Sequence, residues 1–133
     1  MLETLHATPI VLYGPLLGNL LLAIVAGAYA VLRRPLPSWF WTVTLIVLGI
    51  LAVQVAAGIA MYAAGARPRR GLHVMYALLV VIGGVVQFGL RPGGFLRRQY
   101  GADLTRSEAR TLGLVCLTQF ALIARAWMTG AGR

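Results

Sequence analysis

Lysine is absent from this chain: its twelve cations are all arginines, set against three acids, Glu3, Asp103 and Glu108, and two histidines, His6 and His73. No acid falls inside any of the long apolar runs. A carboxylate proton relay of the kind used by membrane pumps therefore lacks its central group. Cysteine occurs once, as Cys116 within an apolar run, which excludes an internal disulfide and any CxxC redox or metal pair. A small buried hydrophobe is its expected role. The chain also lacks a phosphate-binding loop, a zinc cluster, a paired acid–base set and a serine or cysteine nucleophile arrangement. Independent catalytic activity is not expected.

Charged residues make up 11% of the 133 residues and hydrophobic ones 59%, whereas ordinary soluble domains carry about 25% charge. Mean hydropathy is +0.81. About twenty apolar helical residues cross a hydrocarbon core roughly 30 Å thick. The apolar runs divide at Arg33-Arg34-Pro35-Leu36-Pro37-Ser38, at Gly65 to Gly71 and at Arg91 to Arg110. They predict a single all-α transmembrane domain over 1–133, an integral membrane four-helix up-down bundle with spans 10–32, 39–64, 72–90 and 109–128. Helix before Pro9 is also compatible with the sequence, starting near Glu3. The first segment reads as a retained helix rather than a signal peptide, since Glu3 replaces a basic leading region. Trp39, Trp41, Tyr62 and Trp127 are expected at the interfaces. Phe95 to Tyr100 is expected to lie along the membrane surface, with Ser107 capping the fourth span.

A net charge of +9 would suggest nucleic acid in a soluble domain. Here the arginines stand at segment ends, where they set topology and meet membrane lipids, so no nucleic-acid partner is expected. Seven of them (Arg33, Arg34, Arg91, Arg97, Arg98, Arg106 and Arg110) fall on one side and five (Arg67, Arg69, Arg70, Arg125 and Arg133) on the other. The positive-inside rule then places a multi-pass protein in the cell inner or plasma membrane with both termini outside the cytoplasm. A faint two-hairpin repeat matches Leu5-His6 to Leu72-His73, Asn19 to Gln87, Gln54 to Gln119 and Tyr62 to Trp127.

Each span carries one amide: Asn19, Gln54, Gln87 and Gln119. An amide facing lipid leaves its donors and acceptors unmet. These four are expected to make interhelical hydrogen bonds that fix packing, or to reach a ligand pocket or an oligomer contact. Small residues such as Ala26, Ala30, Gly58, Gly83 and Gly84 suit close helix approach.

Both histidines stand at the heads of odd-numbered segments, so an up-down bundle places them at one face and similar depth. Imidazole nitrogens ligate haem iron and other metals. His6 and His73 are accordingly the candidate metal ligands. Arg67 and Arg125, returning to the same side, are the candidate partners for haem propionates. Interfacial snorkelling and lipid contact are the alternative for those arginines.

The stretch Gln54-Val55-Ala56-Ala57-Gly58, followed by Leu72-His73, resembles the glutamine–glycine and subsequent leucine–histidine pattern of the heme A synthase family. That family modifies haem within a larger membrane bundle, commonly of eight helices. The resemblance covers one helical hairpin and implies a ligand-like position for His73 alone; His6 enters through its placement. The expected function is a small membrane protein binding haem b, an electron-transfer or respiratory-complex component with a quinone among its candidate partners. The alternative is an accessory or structural subunit with no cofactor. A transporter or channel is a third reading without a substrate-specific cue; short length favours a homo-oligomer or a larger membrane complex if the protein forms a pathway.

Overall fold

The computed structural model describes residues 1–68 and 70–130, with side chains at 102–106 outside the description. Arg69 and Arg133 lie outside the described residues, as do the side chains of Asp103 and Arg106. The described chain is helical, with no strand: α1 (Leu2–His6), α2 (Pro9–Val31), α3 (Ser38–Ala63), α4 (Leu72–Leu90) and α5 (Phe95–Gly130). Among the described residues four helices are long and apolar enough to cross a bilayer, the last over Ser107–Gly130. This is an all-α, membrane-spanning four-helix bundle. The helix that begins before Pro9 is separate: the chain turns at Ala7 and Thr8, and Pro9 opens α2, where its missing N–H costs nothing.

Two helix ends are built alike. At the end of α2, Arg33 N–H donates to Ala30 O at 3.1 Å and Arg34 N–H to Tyr29 O at 3.0 Å, with Arg33 at φ 52°. At the end of α3, Gly65 and Ala66 make the corresponding bonds to Tyr62 O and Met61 O, with Gly65 at φ 96°. Both are left-handed terminators that satisfy the last carbonyls, and a proline follows each within three residues. The surface segment from Phe95 is the first part of α5, and Ser107 interrupts that helix at φ −124°, ψ 15°. Arg97 and Glu108 form an ion pair across the interruption.

Helix α5 packs most extensively, lying against α2 and α4; α2 also meets α3, while α3 and α4 touch only sparsely. The main core occupies the half of the bundle near the α2–α3 turn, around Leu22, Ala26, Phe40, Leu112 and Cys116. Trp41 belongs to this core: it is 9% exposed and packs edge-on against Phe40 at 5.4 Å. It faces the bundle interior in the first turn of α3, whereas Trp39 is half-exposed. A smaller core of Leu51, Val80 and Ile123 sits towards the histidine end.

Three amides knit the helices together. Gln87 Nε2 donates to Asn19 Oδ1 at 2.7 Å and to Cys116 Sγ at 3.3 Å, joining α4 to α2 and α5. Gln119 Nε2 donates to Val80 O at 2.8 Å, joining α5 to α4. The amide oxygen of Gln119 occupies the space a Cβ would need at Gly83. That glycine lets the two helices meet around a side chain.

Candidate functional site

Where α3 and α4 separate, the bundle holds a cavity of about 410 Å³, within the ~300–1,000 Å³ range of small-molecule and cofactor sites. His6 and His73 both line it, from α1 and α4, with Gln54 and Tyr62 from α3 and Trp127 from α5; the remaining lining is mainly aliphatic. Ile59 and Leu78, 65% and 60% exposed, are also part of its wall, so the cavity opens sideways between α3 and α4.

The two imidazoles are held in the same manner. His6 Nδ1 lies 3.3 Å from Gln54 O, and His73 Nδ1 lies 2.8 Å from Ala126 O. A carbonyl oxygen accepts only, so each contact requires a proton on Nδ1. In the neutral ring this leaves the lone pair on Nε2, the atom free to ligate. Each carbonyl belongs to the second spanning helix of the histidine's own hairpin. In each case a glycine stands four residues further along that helix: Gly58 beyond Gln54 and Gly130 beyond Ala126.

The glycines have a steric reason. A helical carbonyl points along the axis towards the N–H four residues on, so the Cβ at that later position flanks any second donor approaching the oxygen. A Cβ at Gly130 would lie 2.7 Å from both Cε1 and Nδ1 of His73, inside contact distance. At Gly58 it would lie 3.5 Å from Cε1 of His6, an ordinary contact. Glycine is thus required behind His73 and merely convenient behind His6.

The sequence-predicted residues divide accordingly. His6 and His73 share one cavity. Arg67 is at its rim rather than in its wall: its guanidinium carbon sits 4.2 Å from the ring centre of Tyr62, and Nη1 donates to Tyr62 O at 2.8 Å and Ala66 O at 3.1 Å. Arg125 is exposed and off the lining; at 3.6 residues per turn it projects from the far side of α5 relative to Ile123, Ala126, Trp127 and Gly130. Of the four amide residues, Gln54 alone lines the cavity.

Gly130 and the carbonyl of Ala126 escape sequence reasoning. A backbone oxygen carries no residue-type signal, and a glycine near a helix end reads as a terminator. The only available hint was the Gln54–Gly58 spacing, which recurs as Ala126–Gly130 with a different residue at its head.

Among the described residues no group of three or more His, Cys, Asp or Glu side chains gathers at one point. A structural zinc site uses about four protein ligands, so two imidazoles underfill the coordination of a bare ion. An iron already held by a porphyrin would ask for no more than two such donors. The apolar wall, two lone pairs and sideways opening fit such a flat, largely apolar group. No protein-family model, curated protein or solved structure matches this chain.

Proposed function

We propose that this chain is a small membrane cytochrome-like protein holding one b-type haem, as a component of an electron-transfer or respiratory assembly. The observation that carries the reading is the shared cavity with both histidines fixed through Nδ1 to backbone carbonyls. His6 and His73 would hold the iron through Nε2. The carbonyls of Gln54 and Ala126 orient the rings and raise their basicity as ligands. The aliphatic walls exclude water. Bound haem supplies a one-electron redox change, and the residues around it tune that change through axial donation and burial.

Arg67 is the propionate partner that its rim position favours. It needs only to turn from the face of Tyr62, whereas Arg125 would have to carry its guanidinium around α5. With both termini outside, the site lies in the outer half of the membrane. The opening between α3 and α4 then gives a lipid-soluble partner such as a quinone a route to the edge of the site.

The test is spectroscopic. Purified protein supplied with haem should show a stable Soret band and redox-sensitive b-type absorption. His6→Ala and His73→Ala should each change the axial-ligation spectrum while membrane insertion persists. A folded protein that takes up no haem would instead support a cofactor-free accessory subunit, the reading favoured by the amide contacts that already fix the packing.

A further inference from the structure

On the side of the bundle away from the α3–α4 opening, α2 and α5 frame a second hollow, a groove of about 330 Å³. Its floor is made of small residues, Ala23, Gly27 and Ala30 from α2 with Ala109 and Gly113 from α5, and among the described residues its one charged lining residue is Arg110. A Cβ at Gly27 would meet nothing within 4 Å, so the groove is open there; at Gly113 it would touch Ala26 and Gly27 at 3.6 Å, so the two helices close beneath it.

The length and the charge identify an occupant. Along α2 the groove runs from Leu20 to Ala30, roughly 15 Å at 1.5 Å per residue. One leaflet of a hydrocarbon core about 30 Å thick has the same depth. Ala30, Ala109 and Arg110 mark the headgroup end, and exposed Arg33 and Arg34 follow α2 on that same face. Among the described residues the only ion pair joins Arg97 to Glu108, so Arg110 has no acidic partner there. A second copy docking in parallel through this groove would bring its own Arg110 to the same place, and like charges would oppose it.

We propose that the α2–α5 groove is a binding site for an anionic phospholipid, one acyl chain lying over Gly27 and the phosphate held by the Arg110 guanidinium. The chain fills the hollow that the small residues leave between helix ridges. The charge-assisted contact to phosphate selects an anionic lipid over a zwitterionic one. This site shares no residue with the histidine cavity and does not depend on haem being bound.

The experiment is native mass spectrometry of the full chain released from vesicles of equimolar phosphatidylglycerol and phosphatidylcholine. Wild type should retain phosphatidylglycerol preferentially. Arg110→Gln should lower that preference about fivefold, the effect of one arginine near an anionic surface. Gly27→Leu should remove the retained lipid by filling the groove, whereas Gly49→Leu, on the exposed face of α3 where nothing lies within 4 Å, should leave it in place. Circular dichroism checks that each variant keeps its helices. Equal retention of the two lipids by wild type, or equal effects of the two leucine substitutions, overturns the proposal. A dimer dissociated by Gly27→Leu also overturns it and assigns the groove to a second copy of the chain.

Discussion

Replacing Gly130 by alanine tests how the histidines are held. Alanine is ordinarily the better helix former by about 1 kcal/mol in a helix interior, and Gly130 closes α5, so that gain shrinks here. Against it stands a Cβ 2.7 Å from two atoms of His73. The ring is rigid and must move as a unit, which breaks the 2.8 Å bond to Ala126 O. Overpacking of this kind costs about 1–3 kcal/mol. The hydrogen-bond loss falls towards the lower end of the ~1–3 kcal/mol range for stranded polar groups, because the helix still gives that carbonyl an N–H. Gly130→Ala should therefore destabilise the bundle by at least about 1 kcal/mol. Gly58→Ala should be neutral or stabilising by up to about 1 kcal/mol, since its Cβ finds ordinary room beside His6. Unfolding of both variants in the same detergent gives the comparison, and nitrogen NMR of the imidazoles reads whether His73 still carries its proton on Nδ1. If haem binds as proposed, Gly130→Ala should also weaken it by about 10–100-fold, the usual cost of losing a partner behind a metal-binding histidine. Equal stability changes in the two variants, with the His73 tautomer unmoved, would refute the steric reasoning.

Three further substitutions probe the packing. Gly83→Ala puts a Cβ where the Gln119 amide oxygen lies and should cost about 1–3 kcal/mol; Gln119→Ala in the same chain should recover part of that loss, read as a coupling energy from the four unfolding curves. Gln87→Leu removes the contacts to Asn19 and Cys116 and should lower stability by about 0.6–1.7 kcal/mol, with helix content in micelles unchanged. Arg33→Gly relieves a left-handed backbone at φ 52° and should raise stability by about 1 kcal/mol, measured by the same unfolding assay.

Much of this architecture was legible because membrane helices announce themselves twice, by apolar length and by what interrupts it. The third span, α4, runs from Leu72 to Leu90 and the second, α3, from Ser38 to Ala63, within a residue of the runs bounded by Arg33–Ser38 and Gly65–Gly71. Interhelical roles for Asn19, Gln87 and Gln119 were legible too, because an amide in lipid has few other ways to satisfy itself. The inward direction of Trp41 was not: alternation of lipid-facing and core-facing positions is invisible when every residue in the turn is apolar. Nor was the length of α5, since Pro92, Gly93 and Gly94 precede it and Ser107 bends rather than ends it. Arg125 shows the limit of arguing from depth alone. Being at the right level says nothing about the side of the helix from which a residue projects.

The histidine cavity has a cause in how the two hairpins meet their polar obligations. The first satisfies Nδ1 of His6 from its own α3, and the second satisfies Nδ1 of His73 from its own α5. Neither histidine's hydrogen bond crosses to the other hairpin, and α3 and α4 touch only sparsely. At the opposite end Gln87 reaches α2 and α5 at once, and the bundle closes on a filled core. The two hairpins thus share an arrangement of carbonyl, glycine four residues on and an imidazole over both, in a register different from the faint sequence repeat that pairs Gln54 with Gln119. Two such units leave two Nε2 lone pairs beside a mostly aliphatic wall. On the proposed function those two nitrogens are the donors left for a ligand, since Nδ1 of each ring is committed to a backbone carbonyl of its own hairpin.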